Sequence, residues 1–176
     1  MFTKTALETA FAVRKIILVF TLLVVCSGVY AQTKPVQFTA KKELPVLGST
    51  TQTVAIRVTD FTNVTTTQFT LQWPATAFQF ASLSDFGLPG LDITHFNTTL
   101  AATGKLTFSW DDASTNGLTV IDGTVIFKIK FTVIGSIPAG SVLELTASPT
   151  PTEVTRSLKP TSVMFNNESL SGCECK

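Results

Sequence analysis

The stretch from Thr53 to Phe80 reads TVAIRVTDFTNVTTTQFTLQWPATAFQF, two alternating segments separated by a polar joint at residues 60–67. Every second residue is apolar on each side of the joint: Val54, Ile56 and Val58, then Phe69, Leu71 and Trp73. Side chains alternate between the two faces of a β-strand, so each segment buries one face and leaves the other in water. The stretch predicts two strands of a β-sandwich rather than the wall of a catalytic pocket.

Strand patterns recur along the rest of the chain, separated by Gly, Pro, Asn and Asp. The clearest are 106–110 and 125–133, the second introduced by the turn pair Asp122-Gly123. The others lie at 35–40, 78–83, 91–96, 142–147 and 162–165, with a weak strand at 153–155. Pro35 suits an edge strand. Eight or nine short strands without a convincing amphipathic helix predict an all-β sandwich or barrel.

Residues 1–31 have the pattern of a secretory signal peptide. Arg14 and Lys15 precede an apolar run at 16–25, and a small-residue site predicts cleavage after Ala31. A transmembrane anchor would need about 20 apolar residues, roughly twice this run. Cys26 raises a lipoprotein alternative, which the branched residue before it disfavours. The protein is therefore expected to be secreted, extracellular or on the cell surface, with no membrane span after cleavage.

Residues 32–170 have the length of one domain with a sizeable core. The whole chain has a formal net charge of +1, and it carries no basic stripe, which argues against a nucleic-acid partner. Residues 171–176 are predicted to be a disordered tail or the stub of a longer chain. Cys173 and Cys175 lie in this tail, where they are too few for a metal site and too close for an unstrained disulfide.

Catalytic residues are scarce. His95 is the single histidine, and no nucleophile motif accompanies it, so it is predicted to be a solvated or hydrogen-bonded surface residue. Asp111 and Asp112 are adjacent, and neighbouring strand residues point in opposite directions, which suits a glycosidase pair poorly. The chain is predicted not to be an enzyme, and no catalytic or cofactor-binding residue is assigned.

One connection carries several oxygen ligands of the kind that calcium prefers. They are Asp111, Asp112, Asn116 and Asp122. Their spacing matches no known calcium loop, so a polar loop without metal is the favoured interpretation. The calcium alternative stays open, and no metal ligand is assigned.

Trp73 and Trp110 are the natural candidates for stacking on sugars. Each is in phase with the apolar face of its strand. The simpler interpretation is two core tryptophans near strand ends, with no exposed aromatic strip.

A family resemblance follows from the order of the core patterns. The segments VAIRVTDFTNV, QFTLQWP, FASL, GKLTFSW and DGTVIFKIKFTV resemble a cohesin domain over residues 36–165. They are most similar to cohesin-like modules of secreted and surface proteins in Bacteroidetes-type bacteria. The resemblance implies a nine-stranded jelly-roll sandwich, similar in fold to a group of carbohydrate-binding modules.

The resemblance also implies a function. Such a module binds another protein, typically a dockerin, in extracellular assemblies that degrade polysaccharides, and uses one sheet face with adjoining loops. No short motif transfers individual contact residues, and no cofactor is implied. A carbohydrate-binding module that contacts polysaccharide directly is the alternative. The chain has one such module, unlike a cellulosomal scaffoldin, which leaves a broader adhesion role open.

Overall fold

The structure is a computed structural model that describes residues 34–44, 49–140 and 143–167. The predicted signal peptide and the tail with Cys173 and Cys175 lie outside these ranges. The described residues form eleven strands and two short 3-10 helices: β1 (Val36–Lys42), β2 (Thr51–Thr59), β3 (Val64–Gln72), β4 (Phe78–Ser84), η1 (Ile93–His95), β5 (Phe96–Asn97), η2 (Ala101–Thr103), β6 (Lys105–Asp111), β7 (Thr124–Val133), β8 (Glu144–Thr146), β9 (Glu153–Arg156), β10 (Lys159–Thr161) and β11 (Val163–Asn167).

The strands form two sheets that pack face to face. Sheet A has the order β11-β1-β2-β7-β4, and sheet B has the order β10-β9-β3-β6-β5, with β8 also pairing with β3. The β1–β11 pair is parallel. The predicted all-β sandwich is confirmed, with eleven strands rather than eight or nine. No helix in the described ranges is long and apolar enough to cross a membrane.

The core is an aromatic cluster between the sheets. The ring centroid of Phe69 on β3 lies 5.1 Å from that of Phe38 and 4.8 Å from that of Phe108. The ring of Phe127, on β7 of the opposite sheet, lies 5.2 Å from that of Phe108. Such tilted and edge-on pairs add to the stabilisation from burial. The alternation read from the sequence therefore places these rings between the two sheets.

Two strand predictions were wrong in position or type. Pro35 precedes β1, which is an interior strand between β11 and β2 and not an edge. Half of the segment 91–96 is the 3-10 helix η1, which the Asp92 side chain caps by accepting a hydrogen bond from the Thr94 backbone N–H at 2.8 Å. Only Phe96 and Asn97 are extended there.

Two regions depart from simple alternation. The joint at 60–67 is shorter than predicted, since β3 begins at Val64. A bulge between β2 and β7, at Ile56 and Arg57, shifts the register. Ile126 and Phe127 are consecutive and both fully buried, so strict alternation from residue 125 does not hold.

Candidate functional site

The outer face of sheet B is a polar surface formed by alternate residues of β3 and β6. Four cross-strand pairs form it, and we call these eight residues the sheet B face: Thr66–Asp111, Gln68–Ser109, Thr70–Thr107 and Gln72–Lys105. The residues that alternate with these eight along β3 and β6 point into the core, because successive side chains of a strand lie on opposite faces. The centre of the face carries hydroxyl and amide groups, and its charges stand at the two ends.

The segment 148–150, which we call the strap, crosses this face beside β3. The Thr70 hydroxyl donates to the Thr150 carbonyl at 2.8 Å and accepts from the Thr150 backbone N–H at 3.0 Å. The Lys105 ammonium donates to the Ser148 carbonyl at 3.1 Å. The segment 148–150, which connects β8 to β9, is thereby fixed on the sheet and buries Thr70.

The helix η1 and strand β5 border the opposite side of the face. An open depression of about 430 Å³ lies there, and its lining includes Gln68, His95, Asn97, Thr107, Ser109 and Thr150. Polar side chains dominate this lining, whereas small-molecule pockets are mostly apolar and enclosed. The sheet B face is therefore suited to contact with a macromolecular surface.

His95 is held by hydrogen bonding at this border. Its Nδ1 lies 3.1 Å from Oδ1 of Asp92. The Thr94 hydroxyl above all, then the Thr94 backbone N–H and His95, hold the pKa of Asp92 below its ordinary value. The prediction of a hydrogen-bonded histidine is confirmed, although His95 lies in a 3-10 helix and not in a strand.

The acidic residues suggested for calcium have other roles or lie apart. The Asp112 carboxylate accepts from the Ser114 hydroxyl at 2.7 Å and from the Gly117 backbone N–H at 2.9 Å. Asp122 accepts from the Asp60 backbone N–H at 2.8 Å. Within the described ranges, no three His, Cys, Asp or Glu side chains converge to hold a metal. Asp112 and Asp122 each stabilise their own connection by accepting hydrogen bonds.

The loop after β6 is expected to depend on the charge of Asp112. The Ser114 hydroxyl, followed by the backbone N–H groups of Ser114 and Gly117, holds the pKa of Asp112 below its ordinary value. A carboxylate with a lower pKa in the folded state stabilises the fold above its unfolded pKa of about 3.9, and this contribution is lost as pH falls through the folded pKa. Asp112→Asn should therefore lower the free energy of unfolding at neutral pH, and the deficit should shrink in acid.

Denaturant unfolding across pH checks this prediction. Asp111→Asn is the matched control for the loss of one carboxylate, since Asp111 is exposed on the sheet B face, and it should cost less stability at neutral pH than Asp112→Asn does. A deficit for Asp112→Asn that stays constant from neutral pH into strong acid would contradict the role given to the ionised carboxylate.

Both tryptophans belong to the core, as predicted. Trp73 is 3% exposed and Trp110 is 1% exposed. The indole N–H of Trp73 donates to the Phe78 carbonyl at 3.1 Å, and that of Trp110 donates to the Pro89 carbonyl at 3.0 Å. The large hydrophobic side chains that are exposed in the described ranges are all aliphatic. No aromatic platform for sugars is present in those ranges.

The outer face of sheet A differs in charge. Lys128 lies there and contacts Glu43 and Asp85, both at 2.7 Å. The hydrogen bond to Asp85, and to a lesser extent that to Glu43, raises the pKa of Lys128. Lys41 and Lys130 are exposed on the same face. The two faces of the sandwich thus present different chemistry to a partner.

Two buried threonines of β3 provide a matched test of the strap. Thr67 faces the core, is 1% exposed, and its hydroxyl has no hydrogen-bond partner in the described structure. Thr67→Val is expected to raise the free energy of unfolding by about 1 kcal/mol, because it removes an unsatisfied buried group. Thr70→Val is expected to lower it by about 1–3 kcal/mol, because it leaves Thr150 unpaired. Denaturant unfolding measures both, and equal changes in the two variants would contradict the assignment.

The sequence assigned no contact residues to this face. The residues that form it are ordinary threonines, glutamines and serines in the polar phase of β3 and β6. The alternation marks them as outward-facing, but only the pairing of the strands brings them together. The strap residue Thr150 lies between strands and carries no pattern of its own.

The fold and face define a class: a two-sheet sandwich with a polar outer face on one sheet and no aromatic platform in its described part. The family model for the cohesin domain matches residues 48–169. The chain belongs to the cohesin family, a family of protein-binding modules. Curated proteins provide no significant match to this sequence.

Solved structures support the fold at low sequence identity. The seventh ScaB type I cohesin from Pseudobacteroides cellulosolvens is 19% identical with a TM-score of 0.58, covering 81% of this chain and 97% of that one. The sixth cohesin of Acetivibrio cellulolyticus scaffoldin B, in complex with a mutant Cel5 dockerin, is 17% identical with a TM-score of 0.59, covering 76% and 96%. A non-cellulosomal cohesin from the archaeon Archaeoglobus fulgidus is 17% identical with a TM-score of 0.56, covering 76% and 88%.

Proposed function

We propose that this chain is a secreted, non-catalytic cohesin module that binds a dockerin-type protein partner outside the cell. The assembly is one linked to polysaccharide binding or degradation. The observation that carries this proposal is the family match over residues 48–169. It is supported by similar structures in which a cohesin is bound to a dockerin.

The proposed docking surface is the sheet B face. Its centre at Thr107 and Ser109 is uncharged, while the neighbouring Gln68 donates a hydrogen bond to the exposed Glu153 carboxylate at 3.4 Å, a charge that a docked partner would have to match. Fixed segments, the strap at 148–150 and the helix η1, border it, which favours a preformed site with little ordering on binding. The outer face of sheet A lacks this neutral centre.

A non-catalytic role is supported by how the acidic and basic groups are used. His95 is hydrogen bonded to Asp92, and the Asp112 carboxylate is occupied by its own loop. The glycosidase pair considered for Asp111 and Asp112 therefore lacks a free second carboxylate.

The proposal of secretion rests on the pattern of residues 1–31. N-terminal sequencing of the exported protein should find Gln32 as its first residue.

Direct binding measurements test the main proposal. The immobilised exported chain, beginning at Gln32, should retain dockerin-bearing proteins from the secretome of the same organism, and isothermal titration with the purified dockerin should show saturable binding. Retention on polysaccharide with no protein partner would contradict the proposal and favour the carbohydrate-binding alternative. That alternative is weakly supported, because Trp73 and Trp110 are buried.

A further inference from the structure

The outer surface of sheet B carries two exposed carboxylates beside β3. Glu144 on β8 lies opposite Gln72 of β3. Glu153 on β9 lies opposite Gln68 of the same strand. The two glutamates therefore stand about 14 Å apart along β3, since each residue of a strand advances it by about 3.4 Å. The strap, which is hydrogen bonded to Thr70, lies between them.

The row of the sheet that contains Glu144 also contains a cation. Gln72 lies opposite Glu144 on one side and opposite Lys105 on the other. Two strand spacings, about 10 Å, therefore separate the glutamate from the lysine. The Lys105 ammonium donates to the Ser148 carbonyl at 3.1 Å, which draws it towards the strap that follows β8. The charge of Glu144 is thus partly balanced within the chain.

The row that contains Glu153 has no such cation. Gln68 lies opposite Glu153 on one side and opposite the uncharged Ser109 on the other. The Gln68 side-chain amide donates to Oε2 of Glu153 at 3.4 Å, which orients the carboxylate and leaves its charge in place. None of the ion pairs in the described ranges includes Glu153.

The cations on the neighbouring strands do not balance Glu153 either. Arg156 lies on β9 itself, but its guanidinium donates to the carbonyls of Lys34 and Asp60, just before β1 and just after β2. Lys159 lies opposite Arg156 on β10. It is three positions, about 10 Å, along the sheet from Glu153. That distance exceeds the screening length of about 8 Å at physiological salt.

We propose that Glu153 determines the specificity of the sheet B face, and that the protein partner sets a lysine or arginine side chain against it. This inference rests on the docking proposed above. A partner that covers Gln68 and Ser109 takes the Glu153 carboxylate out of water, which is costly without a counter-charge. A cation forms a charge-assisted hydrogen bond there, whereas an apolar or acidic residue leaves the charge unmatched.

The charges on the opposite side of the sandwich favour the same orientation. Lys41 and Lys130 are exposed on the outer face of sheet A, and neither takes part in an ion pair in the described ranges. Both carboxylates that meet Lys128 there, those of Glu43 and Asp85, are already bound to it. A basic partner surface is therefore repelled from sheet A and attracted to sheet B, because like charges across an interface are costly.

Isothermal titration of the exported chain with the purified dockerin tests the proposal. Glu153→Gln should weaken binding by about tenfold or more and reduce its dependence on salt, because it removes the charge and keeps the shape of the side chain. Glu153→Lys should weaken binding by about a hundredfold, because like charges then meet. Glu144→Gln removes the same charge from the same side of β3 and is the matched control, with a change of about twofold at most.

Replacing the lysines and arginines of the dockerin one at a time identifies the facing residue. A double-mutant cycle with Glu153→Gln should show coupling for one of these cations and not for the others. Glutamate in place of that cation should restore binding to Glu153→Lys. Denaturant unfolding of each variant should match the wild type, since Glu153 is exposed.

Two outcomes would overturn the proposal. One is a Glu153→Gln variant with wild-type affinity and an unchanged salt dependence. The other is an equal loss for Glu153→Gln and Glu144→Gln, which would indicate a general acidic field and not one contact. Both outcomes leave docking at the sheet B face intact, because the wild-type chain still binds. A wild-type chain that binds no dockerin would instead contradict the proposed function, and this inference with it.

Discussion

Replacing Phe69 with alanine is expected to lower the free energy of unfolding by about 3–5 kcal/mol, the cost typical of removing a buried aromatic side chain. Phe69 is fully buried and lies where the two sheets meet. Its ring lies within 6.3 Å, centroid to centroid, of three other phenylalanine rings, so little space exists for the surroundings to collapse. Denaturant unfolding followed by tryptophan fluorescence measures the loss.

Phe80→Ala is the matched control for that experiment. Phe80 lies on the edge strand β4, is half-buried, and has a ring contact with Trp73 at 6.5 Å. Truncating Phe80 should cost less free energy of unfolding than truncating Phe69, because the half-buried Phe80 ring hides less apolar surface from water. A cost for Phe80→Ala that equals or exceeds that of Phe69→Ala would place the core elsewhere.

Ser109→Lys is expected to weaken binding of the dockerin-type partner by about a hundredfold, or about 2.7 kcal/mol. Ser109 is exposed at the centre of the sheet B face and lines its depression. A lysine there would stand in the interface, obstruct the approach of the partner and lose its hydration on docking, which is costly. Isothermal titration against the purified partner measures the change.

Thr59→Lys introduces the same charge on the outer face of sheet A, beside Gln37, and serves as the control. It should bind the partner like the wild type. If Thr59→Lys weakens binding while Ser109→Lys does not, the docking surface lies on sheet A. Circular dichroism of both variants should match the wild type, since both positions point away from the core.

The central strands could be predicted from the sequence because burial alone determines them. β2, β3, β6 and β7 are amphipathic or apolar over seven to ten residues, and the structure places each within a few residues of its predicted position. Period-2 patterning of that length has few alternatives. The burial of Trp73 and Trp110 could be predicted because both lie in phase with the apolar residues of their strands.

The peripheral elements could not be predicted in the same way. The strand β10 contains Pro160 and is too short to show a period. The parallel pairing of β11 with β1 joins segments that are distant in the chain, and no local pattern indicates it, so Pro35 alone predicts an edge strand. The capping residue Asp92 indicates the helix η1 in the sequence, but the apolar residues around it favour a strand.

The sheet B face is a product of strand register. Gln68 lies opposite Ser109 and Thr70 lies opposite Thr107 because of the register in which β3 and β6 pair. Neither strand has a motif for binding. The strap over Thr70 depends on contacts between segments that are distant in the chain, which no local pattern encodes.

The parallel pairing of β1 with β11 has a mechanical consequence. Five residue pairs, from Val36↔Val163 to Ala40↔Asn167, join the first strand of the sandwich to its last. Because the strands run in the same direction, the chain enters β1 at one end of the sandwich and leaves β11 at the other. Tension between these two points shears the ladder along its length, so its hydrogen bonds carry the load together and do not unzip one at a time.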